Sequence, residues 1–128
     1  MKYHKTGLIT GCFDAPDSLH QGHKYILDIA WQMCQELIVG VNSDSYIRTV
    51  KGREPMSDEL TRYSRLLEYG EVVIFDGNPQ HLLDYYNVGL IIVGDDYTID
   101  RVVGAKGRDV HFVKRIPGFS SSEIWENL

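Results

Sequence analysis

His20 and His23 flank Gly22 in a His-Gln-Gly-His run that follows the turn Gly11-Cys12-Phe13-Asp14. Two imidazoles on either side of a glycine can donate to phosphate oxygens, and the glycine leaves room for a phosphate to approach the main chain. Two elements must hold them. Thr6 to Thr10 reads as a short apolar strand, and from Lys24 to Gln35 the residues Ile26, Ile29, Ala30 and Met33 fall on one helical face. The histidines therefore sit at the N-terminal end of the first helix, where free N–H groups and the positive end of the dipole favour anions. The same pair could also be a surface feature of a helix cap or half of a metal site.

Further residues of chemical interest lie on loops that follow strand-like runs. Lys51 and Arg62 come after the second such run, Asp95, Asp96 and Tyr97 after the fourth, and Arg115 with Ser120, Ser121 and Ser122 after the last. The serines could act as a helix N-cap, bind an anion, or do both. The chain has 128 residues and a net charge of −5, which argues against general nucleic-acid binding. A polyphosphate would need positive charge gathered locally, for which Lys24, Lys51, Arg53, Arg62, Lys114 and Arg115 are the candidates. Cys12 and Cys34 lie in apolar segments without metal-ligand spacing, so reduced thiols in a cytoplasmic protein are expected. The apolar run from Gly7 to Phe13 is too short for a signal peptide or a membrane span.

Strand-like and helix-like runs alternate throughout. Glu36 to Asn42, Val72 to Phe75, Leu90 to Val93 and Val110 to Val113 read as strands. Ser57-Asp58-Glu59 opens a helix with Leu60, Tyr63, Leu66 and Leu67 at helical spacing, Pro79 starts another, and a closing helix begins near Ser121. Such alternation specifies one α/β domain over residues 1–128, a doubly wound parallel sheet whose ligands bind beyond the carboxyl ends of the strands.

The motifs resemble those of the cytidylyltransferase-like nucleotidyltransferases, whose first signature runs Gly-x-Phe-Asp-x-x-His-x-Gly-His. Val41-Asn42-Ser43-Asp44 with Lys51-Gly52, Pro55 and Arg62 is similar to a segment of the bacterial sugar-phosphate adenylyltransferases that make ADP-heptose. Gly94-Asp95-Asp96-Tyr97 is closer to the base-binding loop of glycerol-3-phosphate cytidylyltransferases, and Arg115-Ile116-Pro117-Gly118-Phe119-Ser120-Ser121-Ser122 fits the family's Arg-x-x-Gly-x-Ser-[ST]-[ST] pattern. The resemblance implies a Rossmann-like nucleotidyltransferase fold and transfer of CMP or AMP from CTP or ATP, with a slight lean to CTP, onto a small phosphorylated polyol, sugar or alcohol.

On this resemblance His20, His23, Lys51 and Arg115 are the catalytic candidates. Cys12, Phe13, Asp14, Gly22, Arg62, Asp95, Asp96, Tyr97, Ser120 and Ser121 are the nucleotide-binding ones. One of the two aspartates accepts from the amine of the base. Mg²⁺ is held by the triphosphate and water, and Asp14 either caps the turn or helps to place that metal. A homodimer without nucleic-acid or membrane partners is expected. A module that binds nucleotide without turnover is the alternative of another class, and a metal-binding or redox protein a third. One departure stands out: Ala15 to Leu19 puts five residues between the aspartate and the first histidine, where the family has two. This inserted turn is expected to line the acceptor pocket.

Overall fold

The computed structural model describes residues 4–94 and 98–114. Five strands, β1 (His4–Gly11), β2 (Cys34–Asn42), β3 (Glu71–Phe75), β4 (Leu90–Gly94) and β5 (Asp109–Val113), form one parallel sheet in the order β3-β2-β1-β4-β5. The helices are α1 (Gln21–Met33), α2 (Asp44–Tyr46), α3 (Glu59–Leu66) and α4 (Gln80–Tyr85), with a π-helical turn at Ile47–Lys51 and a 3₁₀ turn at Ile99–Arg101.

Both faces of the sheet are covered, which explains strands that are apolar on both sides. Ile9, Val39, Val41 and Ile92 pack against Ile26, Leu27 and Ala30 of α1 and Leu66 of α3. The intervening residues Leu8, Ile38, Phe75 and Ile91 point the other way, onto Leu82 and Leu83 of α4. Each fully buried leucine or isoleucine contributes about 1.5–3 kcal/mol relative to exposure. The chain winds outward from β1 to β3 and then returns across the sheet to β4. The winding direction thus reverses between β1 and β4, and their carboxyl ends flank the crevice where such folds bind ligands.

The expected strands are all present, and three local expectations need correction. The first helix begins at Gln21, earlier than its apolar periodicity predicted, because the His20 side chain caps it. It ends at Met33, where Cys34 turns extended and β2 starts at once. On α3 the buried face is Arg62 and Leu66, whereas Leu60 and Leu67 are exposed. The short helices between β2 and α3 had no periodicity to announce them. The closing helix expected near Ser121 lies outside the described residues. Among those described, no helix is long and apolar enough to cross a membrane.

Candidate active site

The turn after β1 is built around Phe13, which is fully buried with a φ of 49°. A bulky side chain in the left-handed region costs roughly 1–3 kcal/mol and persists only where its surroundings impose it. Here they do. Asp14 Oδ2 accepts from Arg53 Nη1 at 2.8 Å and from the Met56 amide at 2.8 Å, and Oδ1 accepts from the Ser57 amide at 2.9 Å. Burial alone would push the Asp14 carboxyl up, but the Arg53 guanidinium and the two amides outweigh it and hold the group below its ordinary value. Phe13 in turn meets the His23 ring edge-on, with centroids 5.6 Å apart.

The two imidazoles stack with centroids 3.5 Å apart and planes 18° from parallel. His20 Nδ1 accepts from the His23 amide at 3.3 Å, which makes it the N-cap of α1. An accepting Nδ1 carries no proton, so a neutral His20 ring has its N–H at Nε2, which is buried. His23 is fully buried, and Gly22 beside it is buried as well. The pair thus stands at the carboxyl end of β1, with the His20 tautomer set by the helix it caps.

A comparison of this chain with protein families matches the description "Cytidylyltransferase-like" over residues 8–127. The chain belongs to that family of nucleotidyltransferases. "Bifunctional protein HldE" of Rhodopseudomonas palustris (strain TIE-1) is 38% identical over 130 residues, covering 94% of this chain and 26% of the relative. The protein of the same name from Acidiphilium cryptum (strain JF-5) is 36% identical over 128 residues, covering 92% of this chain and 26% of the relative. The chain therefore spans about a quarter of the length of these curated relatives. Among solved structures, the lipopolysaccharide core biosynthesis protein from Thermoplasma volcanium GSS1 superposes with a TM-score of 0.67 at 26% identity, over 88% of this chain and 96% of that one.

Within this nucleotidyltransferase domain the remaining candidates divide sharply. Arg62, expected to reach phosphate, is fully buried and turned to the main chain. Its Nε donates to Ser57 O at 2.9 Å, its Nη1 to Cys12 O at 3.0 Å and to Asn42 O at 2.5 Å, and its Nη2 to Asp44 Oδ1 at 2.7 Å. Of the five N–H groups of a guanidinium, four are thereby engaged. Arg62 fastens the ends of β1 and β2 to the starts of α2 and α3.

Cys12 is also buried, and burial pushes its thiol up despite the opposing pull of Lys51, Arg62 and Arg53. It offers a ligand no reactive thiolate. Lys51 closes the π-helical turn, exposed and close enough to act on Cys12, with Gly52 left-handed behind it at φ 70°. It shares the carboxyl edge of the sheet with the histidines. Asp14 does not fit a metal ligand, because Arg53 and two amides occupy its oxygens; it caps the turn instead. Among the described residues no cluster of three or more His, Cys, Asp or Glu could hold a metal, and neither cysteine is in a disulfide. Asp95, Asp96, Tyr97, Arg115, Ser120 and Ser121 lie outside the described residues.

Three contributors escaped the sequence reading. Arg53 had been counted only as local charge, and its partner Asp14 is far away in sequence. Ser57 had been read as the start of a helix, yet its amide holds Asp14 and its hydroxyl holds the Ala15 carbonyl. Arg65 had no motif at all. Only their nearness to the Gly-Cys-Phe-Asp turn and the residues after it in the folded chain identifies them.

Proposed function

We propose that this domain transfers a nucleotidyl group from a nucleoside triphosphate to a phosphorylated sugar, with ATP as donor and a sugar 1-phosphate as acceptor. A phosphate oxygen of the acceptor attacks the α-phosphorus, the bond from that phosphorus to the bridging oxygen breaks, and pyrophosphate leaves with its electron pair. The stacked histidine pair at the N-cap of α1 carries the reading. The Nε2–H of His20 is fixed before substrate arrives, which is the preorganisation that stabilises charge developing on phosphate oxygens. Lys51 adds a positive charge from the neighbouring π-helical turn, and Arg115 would add another from the C-terminal motif. No covalent intermediate is invoked, since positioning and charge neutralisation suffice for this class of transfer.

Mg²⁺, in this proposal, belongs to the triphosphate and supplies charge neutralisation there. Two features favour adenylyl transfer to a sugar phosphate. The Val41 to Arg62 segment is similar to that of the adenylyltransferases that make ADP-heptose, and the two HldE relatives described above share more than a third of their aligned residues with this chain. The Gly94-Asp95-Asp96-Tyr97 loop favours a second reading, cytidylyl transfer to a polyol phosphate such as glycerol 3-phosphate. Pyrophosphate release, measured with ATP, CTP, GTP and UTP against sugar 1-phosphates, polyol phosphates and amino-alcohol phosphates, separates them. ATP with a sugar 1-phosphate is expected to be fastest; turnover with CTP and glycerol 3-phosphate alone would replace the first reading by the second. A protein that bound nucleotide yet released no pyrophosphate with any acceptor would be a binding module. A homodimer is part of the proposal and is read from sedimentation of the purified protein.

A further inference from the structure

The inserted turn is held at both ends. Ser57 Oγ donates to the Ala15 carbonyl at 2.6 Å and lies 3.3 Å from that of Pro16. From α3, Arg65 Nη1 donates to Ala15 O at 2.7 Å and Nη2 to Pro16 O at 3.4 Å. At the far end Leu19 is buried in the core under α1. Only Pro16, Asp17 and Ser18 are exposed between these anchors. A segment whose carbonyls are fixed by two other elements has a set shape before any ligand arrives.

That shape forms one wall of a shallow cleft of about 340 Å³, lined by Ser18, Leu19, Lys24, Ser64, Arg65 and Glu68. The size is at the small end of sites for small molecules, which run from roughly 300 to 1,000 Å³. Two of its lining residues, Leu19 and Lys24, flank the histidine turn in the chain. Leu19 directly precedes His20, and the Lys24 amide donates to the His20 carbonyl at 3.1 Å.

Its lining carries charges of both signs. Lys24 and Arg65 supply cations beside the inserted turn, and three of the five Arg65 N–H groups remain after its two bonds to the turn. Glu68 adds a carboxylate near the Tyr69 phenol, which burial foremost, then Asp28 and Glu68, pushes above its usual value. The Ser18 and Ser64 hydroxyls donate to carbonyls and keep lone pairs free to accept. Donors, acceptors and a carboxylate around a small open volume match a compound whose hydroxyls both give and receive hydrogen bonds.

We propose that this cleft, walled by the inserted turn, Lys24, Arg65 and Glu68, receives the polyhydroxyl body of the phosphorylated acceptor. The inference rests on the reading of His20 and His23 as the place where the acceptor phosphate reacts. It adds that Lys24, Arg65 and Glu68 select a sugar over a short polyol.

The test reads binding rather than turnover. The labelled protein is titrated with glucose 1-phosphate, mannose 1-phosphate, glycerol 3-phosphate and inorganic phosphate while its amide resonances are followed. A hexose phosphate is expected to shift Ser18, Leu19, Lys24, Arg65 and Glu68 together with His20 and His23, whereas inorganic phosphate and glycerol 3-phosphate shift mainly the histidines. Lys24→Ala and Glu68→Gln change exposed side chains. Each should weaken hexose phosphate binding about tenfold, the scale of one hydrogen bond to a charged group, and weaken inorganic phosphate less. Hexose phosphates that left the cleft resonances unmoved, or bound both variants as tightly as the native protein, would overturn the proposal. A cleft that binds hexose phosphate in a protein with no nucleotidyl transfer would overturn the functional reading alone.

Discussion

A single imidazole nitrogen does two tasks at the start of α1: His20 Nδ1 caps the helix and thereby leaves the ring's proton on Nε2. Removing that donor should therefore cost catalysis more than binding. We predict that His20→Ala or His23→Ala lowers turnover by roughly 10²-fold or more, with nucleotide affinity changed far less. Pyrophosphate-release kinetics beside nucleotide titrations check it, and near-normal turnover would remove that histidine from the catalytic set. Asp14 makes a contrasting case, because its charge works on the fold. It is buried between Arg53 and Arg62, with Arg62 Nε 3.9 Å away. In Asp14→Asn the amide cannot match three donors, and we predict a loss of about 3–5 kcal/mol, as for a buried ion pair deprived of one partner. The sign of the pH effect follows from a carboxyl held below its ordinary 3.8 in the folded protein. Its stabilisation is fully present above that value and is lost as pH falls through the lower, folded one. Urea unfolding of both proteins from neutral to acidic pH should show the gap between them shrinking only at the acid end; a gap independent of pH would contradict the assignment.

At the scale of elements, the alternation of apolar runs was enough to specify five parallel strands with helices on both faces, because the inner strands are apolar on two sides, while the edge strand β5 alternates with Asp109 and His111 exposed. The places that escaped were those where side chains bond main chain across long sequence separations. Arg62 shows why: an arginine in a motif reads equally as a phosphate ligand or as a fastener, and only the carbonyls of Cys12, Asn42 and Ser57 around it decide. Likewise, Leu60 and Leu67 have the helical spacing of buried residues, yet α3 turns its Arg62 and Leu66 inward. The histidine turn, by contrast, was legible through its resemblance to the family signature, since the pair by itself reads equally as a helix cap or half of a metal site. Gly70, which joins α3 to β3, provides a test of how closely these elements approach. A Cβ at that position would lie 2.2 Å from the Leu37 carbonyl oxygen of β2, a backbone atom with no room to yield. Gly70→Ala is predicted to destabilise by about 1–3 kcal/mol through forced displacement of β3, without altering the histidine site. Thermal unfolding together with nucleotide affinity checks both halves, and an unchanged melting temperature would show that the edge of the sheet gives way freely.

For the molecule as a whole, a net charge of −5 opposes the approach of a triphosphate, so binding must come from the local concentration of positive groups along the carboxyl edge. Lys51, Arg53 and Lys24 lie there among the described residues, and Arg53 is partly neutralised by Asp14. Much of the affinity then has to come from the helix N-terminus and the preset turn rather than from opposite net charge. Because the crevice lies between β1 and β4, a nucleotide seated in it would bridge the two halves of the sheet, and unfolding would have to release it. Linkage gives the size: ligand at a hundred times its dissociation constant adds about 2.7 kcal/mol to stability. For a domain between the small and medium classes this raises the melting temperature by on the order of 10 °C. We predict a shift of that size with ATP and Mg²⁺, a smaller one with CTP at the same concentration, and little with UTP. His23→Ala should keep most of the shift if, as proposed, the histidine acts in the transition state rather than in ground-state binding. Differential scanning calorimetry across the three nucleotides measures all of this in one series. A larger shift with CTP than with ATP would reverse the proposed donor, and the absence of any shift would mean that the crevice between β1 and β4 does not hold a nucleotide.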